Sequence, residues 1–96
     1  MKIATTIATP HASRYLQQLC KHFGHKIETR YDAQSGTCRF PHSTVELNAH
    51  DGGLDISVTA ADEDGLSSGC RVVWSHLARF AFREDLPEPH WTPPAA

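Results

Sequence analysis

Between residues 26 and 59 the side chains alternate. Ile27-Thr29-Tyr31, Cys38-Phe40, Val45-Leu47-Ala49 and Leu54-Ile56-Val58 make one set, and Lys26, Glu28, Arg30, Arg39, Glu46, Asn48, Asp55, Ser57 and Thr59 make the other. A period of two sends successive side chains to opposite faces of a strand, so each segment has one apolar and one polar face. The sheet these segments build has to be covered on one side and can stay wet on the other. The breaks "DAQSG", "FPHS" and "AHDGG" are short and rich in turn formers, which favours a meander of antiparallel hairpins over parallel crossovers.

Helical periodicity flanks this block. Ile3 and Ile7 among threonines read as a first strand, ended by Thr9-Pro10, where threonine suits a helix cap and proline the first turn. A helix from there to about His22, stopping near Gly24, places Ala12, Leu16, Leu19 and Phe23 on one stripe with Tyr15 and Cys20 at its edges. His11, Arg14, Gln18, Lys21 and His22 fall on a neighbouring polar stripe. The stretch "ADEDG" opens a second helix, its three acids placed where the helix dipole favours negative charge. Leu66, Cys70, Val73, Leu77 and Phe80 or Ala81 form that helix's apolar stripe, with Trp74 beside it, while His76, Arg79 and Arg83 lie on the far side. Gly65 and Gly69 are expected to weaken its first turns.

The element order is β-α-β-β-β-β-α. It predicts an α+β two-layer sandwich, an antiparallel sheet with both helices on one face. This arrangement resembles the TATA-binding-protein-like one, also found in the C-terminal domain of phosphohexomutases, and the likeness concerns fold alone. Residues 1–86 are expected to form a single domain. Residues 87–96 hold four prolines in the eight positions from Pro87 and read as an extended Pro-rich tail, with Trp91 docking on the domain and the last residues without fixed structure.

A chain of 96 residues buries ~60–65 % of its unfolded surface and can stand without disulfides or metal. Three cysteines, Cys20, Cys38 and Cys70, form neither an even set nor a C-x-x-C pair, so a reducing cytosol is the simplest expected location. The first ten residues are too polar for a signal-peptide core, and no stretch approaches a membrane span. A formal charge of -2 and a pI near 6.3 give no general attraction to nucleic acid or anionic membrane. Seven histidines would move that charge to +5 if all were protonated, so the surface potential should depend strongly on acidity near pH 6.

Charge is sorted along the chain. The predicted helices, residues 10–24 and 65–83, contain Arg14, Lys21, Arg71, Arg79 and Arg83 and no acid, whereas all eleven Asp and Glu residues lie on strands, turns or helix ends. With both helices on one face, their outer surface should be positive, more so below neutral pH through His11, His22 and His76. Such a layer could attract an anionic ligand or an acidic partner, or it could be a solvated helix face that happens to be basic. For metal, His22 and His25 are close enough to share an ion, with His50 or Asp51 as a possible third ligand, but an H-x-x-H across a helix end is a weak signal. The cysteines fall on or beside core stripes and read as small hydrophobes. Phosphate-cradling glycine loops, nucleophile elbows and H-E-x-x-H are absent, so no catalytic set and no cofactor are expected.

The stretches "ATPHASRYLQQLCKHFGHK" and "HLARFAFREDL" resemble the signatures of a small uncharacterised bacterial family, domain-of-unknown-function family 2218, over about residues 3 to 91. The matching positions are His11, Arg14, Tyr15, His22, His25, Lys26, His76, Arg79, Phe80 and Arg83, with "GLSSG" a departure that would loosen the start of the second helix. The resemblance implies single cytoplasmic domains, similar ones being appended to siderophore-interacting ferric reductases, and hence a context of iron acquisition. Packing explains Tyr15 and Phe80. Glu84 and Asp85 fall at the end of the second helix, where the dipole disfavours acids, which suggests pairing with Arg14 or Lys21.

The expectation is a non-catalytic accessory or binding module whose face of His11, Arg14, Lys21, His22, His76, Arg79 and Arg83 meets an anionic ferric chelate or a ferric-siderophore reductase. Two rivals stand beside it. One is a small enzyme with a His/Arg site, which requires a pocket with a perturbed histidine. The other is an interaction module, monomer or homodimer, which requires an exposed apolar patch near Trp74 or Trp91.

Overall fold

The computed structural model describes residues 1–93, and the expectation for the last residues of the tail lies in part on 94–96, outside them. Seven elements follow in order: β1 (Lys2–Ile7), α1 (Ala12–Phe23), β2 (Glu28–Tyr31), β3 (Ser35–Arg39), β4 (Thr44–His50), β5 (Gly53–Thr59) and α2 (Glu63–Phe80). The strands form one sheet in the order β1-β5-β4-β3-β2, every neighbouring pair antiparallel. The four alternating segments are therefore a meander. β1, first in sequence, returns to pair with the last strand.

Register turns the sequence alternation into a continuous apolar surface. Cys38 lies opposite Val45, Val45 opposite Val58, Leu47 opposite Ile56 and Leu54 opposite Ile7, and all of these side chains are buried. Both helices pack on that side, α1 across β2 to β5 and α2 over β5. Leu16, Leu19, Phe23, Val73 and Leu77 fill the layer between. Full burial of one such side chain contributes about 1.5–3 kcal/mol, which is why the polar residues of both helices are forced outward.

Several local expectations need correction. Tyr31 is 43 % exposed although its parity matches the buried face, because β2 is an edge strand with one neighbour and ends at that residue. Thr9 does not cap α1 from the N-cap position. That place belongs to His11, which makes no side-chain cap bond, while the Thr9 hydroxyl accepts from the His11 N–H two residues on. The turn after β2 is shorter than "DAQSG": the Asp32 carboxylate accepts from the Gln34 and Ser35 N–H groups, each at 2.8 Å, so pairing resumes at Ser35. Those two donors hold the Asp32 carboxyl below the usual carboxylate range.

The start of α2 is close-packed rather than loose. Asp62 caps the helix, its carboxylate accepting from the Gly65 N–H at 2.8 Å, and Glu63 and Asp64 occupy the first turn. A Cβ at Gly69 would stand 2.7 Å from Val58 Cγ1 and 2.8 Å from Ser43 Oγ, and one at Gly65 would stand 2.5 Å from the His42 carbonyl oxygen. Both glycines let the helix backbone approach the sheet, and that contact outweighs their poor helix propensity.

The chain beyond α2 runs back to β1. The Thr92 N–H donates to the Ala4 carbonyl at 2.9 Å and the Ala4 N–H to the Thr92 carbonyl at 2.8 Å, so the free edge of β1 is partly satisfied, while half-buried Trp91 packs against the core. Among the described residues, no helix is long and apolar enough to cross a membrane. The Gly69→Ala substitution gives a direct check on the α2 contact. It raises helix propensity by about 1 kcal/mol but is expected to destabilise the fold by about 1–3 kcal/mol through overpacking, read as a lower urea midpoint.

Candidate functional site

The two helices run antiparallel. Tyr15, early in α1, meets Glu84 just beyond the end of α2, whereas His22, late in α1, meets His76 and Phe80 inside α2. The predicted basic residues therefore divide between two ends of one helix layer, and their surroundings differ.

At the His22 end, the imidazoles of His22 and His76 lie with ring centroids 4.7 Å apart and tilted by 44°. Phe80 stands edge-on to His22 at 5.8 Å, and Phe23 stands edge-on to His76 at 5.0 Å. His76 Nδ1 is 2.7 Å from the Val72 carbonyl oxygen, one turn back. A carbonyl can only accept, so Nδ1 carries the proton and the neutral ring keeps its lone pair on Nε2. His22 itself is exposed at the surface. Its pKa is held below the ordinary 6.5 by partial desolvation first, then by the neighbouring His76, His25, Lys26 and Arg79. Four positive or protonatable groups thus crowd one imidazole from three places: the loop after α1, the middle of α2 and its last turn.

At the other end, Glu84 receives hydroxyl hydrogen bonds on both carboxylate oxygens, from Thr9 to Oε1 at 2.8 Å and from Tyr15 to Oε2. His11 stands edge-on to Tyr15 at 6.1 Å. The pairing expected between Glu84 and Arg14 or Lys21 is not made. Two neutral hydroxyls stabilise the carboxylate instead, which leaves both cations exposed. Arg83 lies over the ring of exposed Phe82, 5.6 Å from its centroid.

Ion pairs lie elsewhere. Those among the described residues join Arg39 to Glu28 at 2.9 Å and His50 to Asp55 at 3.0 Å, both on the outer sheet face, away from the helices. His50 is occupied at both nitrogens, since the Gly52 N–H donates to Nδ1 and Nε2 faces Asp55. It is not free to join His22 and His25, and among the described residues no three His, Cys, Asp or Glu side chains come together as a metal ion would need. Lys26, one of the positions that carry the family pattern, is not among those expected on the basic face. It read as the polar face of the first hairpin strand, but β2 begins at Glu28 and Lys26 lies in the connection, where its charge acts on His22. Its place immediately after "HFGH" was the available signal.

Surface grooves lie apart from this cluster. One of about 1010 Å³ crosses the outer sheet face between Thr6, Ser57, Glu46 and residues 87–90, and another of about 520 Å³ lies between Trp74 and Trp91. Neither groove is lined by His22, Lys26, His76 or Arg79.

The His22 imidazole should titrate below 6.5 in an NMR pH series, and His76→Ala should move its midpoint upward; an unshifted midpoint would contradict the geometry. Because the folded state then binds fewer protons than the unfolded one, the His22 contribution to stability is present above pH 6.5 and is lost as pH falls through that value toward the folded pKa. In thermal melts, Tyr15→Phe should cost about 1–2 kcal/mol by leaving a Glu84 oxygen without its donor, and Arg14→Ala should stay within about 0.5 kcal/mol.

The comparisons agree with this architecture. The NMR structure of PA4090 from Pseudomonas aeruginosa superposes with a TM-score of 0.81 at 36 % sequence identity, covering 99 % of this chain and 98 % of that one. No curated protein matches. The sequence pattern of a family described as an uncharacterized protein conserved in bacteria matches residues 4–92, nearly the whole chain. The chain belongs to that bacterial family, DUF2218.

Proposed function

We propose that this chain is a non-catalytic, cytoplasmic binding module that takes an anionic partner on its helix layer, centred on His22, Lys26, His76 and Arg79. The observation that carries this reading is the separation of charge from counter-charge. Lys21, Arg14, Arg79 and Arg83 are exposed without an ion pair among the described residues, while the ion pairs sit on the opposite face. An unneutralised positive surface raises the local concentration of anions and speeds their encounter. Arg offers two parallel donors to a carboxylate or phosphate, and exposed His22, stacked on half-buried His76, adds a planar donor when protonated.

The placement of both grooves away from the cluster supports binding over catalysis, because a catalytic group needs a cavity that orients substrate and excludes water. The tryptophan pair supports packing over dimerisation, since Trp74 and Trp91 are half-buried against the core. Resemblance to domains appended to siderophore-interacting ferric reductases supports the choice of ligand: an anionic ferric chelate, or the acidic surface of a ferric-siderophore reductase.

The test is an amide NMR titration with a panel of anionic ferric chelates and, separately, with a purified ferric-siderophore reductase. Saturable changes confined to His22, Lys26, His76 and Arg79 are expected, and Lys26→Ala with Arg79→Ala should weaken binding at least about tenfold, as loss of two charge-assisted contacts implies. Zn²⁺ shifts at His22 and His25 alone would replace this reading with a metal site, and no change with any addition would overturn it.

A further inference from the structure

Cys20 at the margin of the α1 stripe and Cys38 on the core face of its strand are 18 positions apart in the sequence, and the fold brings their sulfurs to 3.7 Å of each other. Cys20 comes from the inner face of α1 and Cys38 from the middle of β3, and both are fully buried. Gly36, two residues before Cys38 on the same strand face, makes the contact possible. A Cβ there would lie 2.7 Å from Cys20 Sγ and 3.3 Å from Leu16 Cδ2, so the Cys20 side chain occupies the room that glycine leaves. Cys70 lies on α2, half-buried, and its thiol is pushed up by burial.

We propose that Cys20 and Cys38 are an oxidisable dithiol that closes to a disulfide between α1 and β3 when the folded protein meets a peroxide. The sulfurs must approach from 3.7 Å to about 2.05 Å, a shift that rotation of two side chains and a small movement of α1 supply. One thiolate of the pair attacks the O–O bond of hydrogen peroxide and becomes a sulfenic acid, releasing one water after proton uptake. The other sulfur then attacks that sulfenic sulfur, forms the S–S bond and expels the second water. Two thiols lose two electrons and two protons, and one peroxide is reduced to two waters.

Either sulfur can donate the hydrogen bond between them, so whichever thiol loses its proton is stabilised by the other, and either can attack with its neighbour resolving. Both sulfurs are fully buried, so peroxide reaches the pair when α1 lifts from the sheet in local opening. The link would fasten the helix that carries Lys21 and His22 to the sheet.

The experiment exposes the reduced full chain to hydrogen peroxide, quenches it, unfolds it and alkylates the remaining thiols before mass analysis. The expected product is 2 Da lighter before alkylation (about two hydrogens lost), takes up a single alkyl group, at Cys70, and yields a peptide joining Cys20 to Cys38. Its melting temperature should rise by roughly 5–15 °C, as closure of a loop of this length implies. Cys70→Ser should keep the link, and Cys38→Ala or Cys20→Ala should stop at a sulfenic acid on the remaining cysteine of the pair, which dimedone traps. Recovery of all three thiols after an exposure that fully oxidises free glutathione would overturn the proposal, as would a link through Cys70 or over-oxidation of Cys20 or Cys38 without a link.

Discussion

The structure depends on the burial of one sheet face beneath two helices. Val45, Leu47, Ile56 and Val58 form the centre of that face, and Leu16, Leu19, Val73 and Leu77 seal it from above. Every polar residue is then placed by exclusion. Outward-pointing strand residues make one surface, where acids and bases are mixed and pair with each other, as in Arg39–Glu28 and His50–Asp55. The far sides of the helices make the other, where cations collect because the acids of α2, Glu63 and Asp64, are confined to its first turn and α1 has none. The separation of charge is therefore a product of packing, and the functional reading rests on it.

The interhelical seam refines this picture. A helix pair that only needed to cover the sheet would require apolar contact alone, yet this one is also held at both ends by polar groups. Glu84 is fixed by two hydroxyls from the α1 side, and His22 stacks on His76 within a run of aromatic rings that continues through Phe23 to Phe40. The first arrangement stabilises a carboxylate without drawing on a cation, and so leaves Arg14 and Lys21 available. The second keeps one imidazole, His76, oriented by a backbone carbonyl beside a second imidazole that is crowded by positive charge. An anion arriving there would relieve that crowding, which gives the site a reason to bind more strongly as pH falls.

Much of this was legible in the sequence, and the parts that were not share a physical cause. Period-two alternation and short turns specified the meander, and the two apolar stripes specified which helix faces would be inward. Long-range proximity was hidden. Nothing local announces that Glu84 meets Tyr15 rather than Arg14, that Cys20 meets Cys38 across 18 positions, or that Gly69 is dictated by Val58. Glycine in a helix reads as weakness when only propensity is considered, and as a close contact once the neighbouring strand is known. In the candidate site, the charge sorting and the histidines were visible, whereas the division of the cations between two ends and the part played by Lys26 came from the antiparallel packing of α1 on α2.

The central claim is that the helix layer carries an unneutralised positive potential and the outer sheet face does not. It is tested most directly by comparing the paramagnetic broadening of amide signals by an anionic chelate with that by a neutral chelate of the same size. The account predicts excess broadening by the anionic probe around His22, Lys26, His76 and Arg79, little excess at Ser57 or Thr37 on the sheet, and a decrease of the excess as salt is raised. Equal excess on both faces, or none on the helices at low salt, would contradict it.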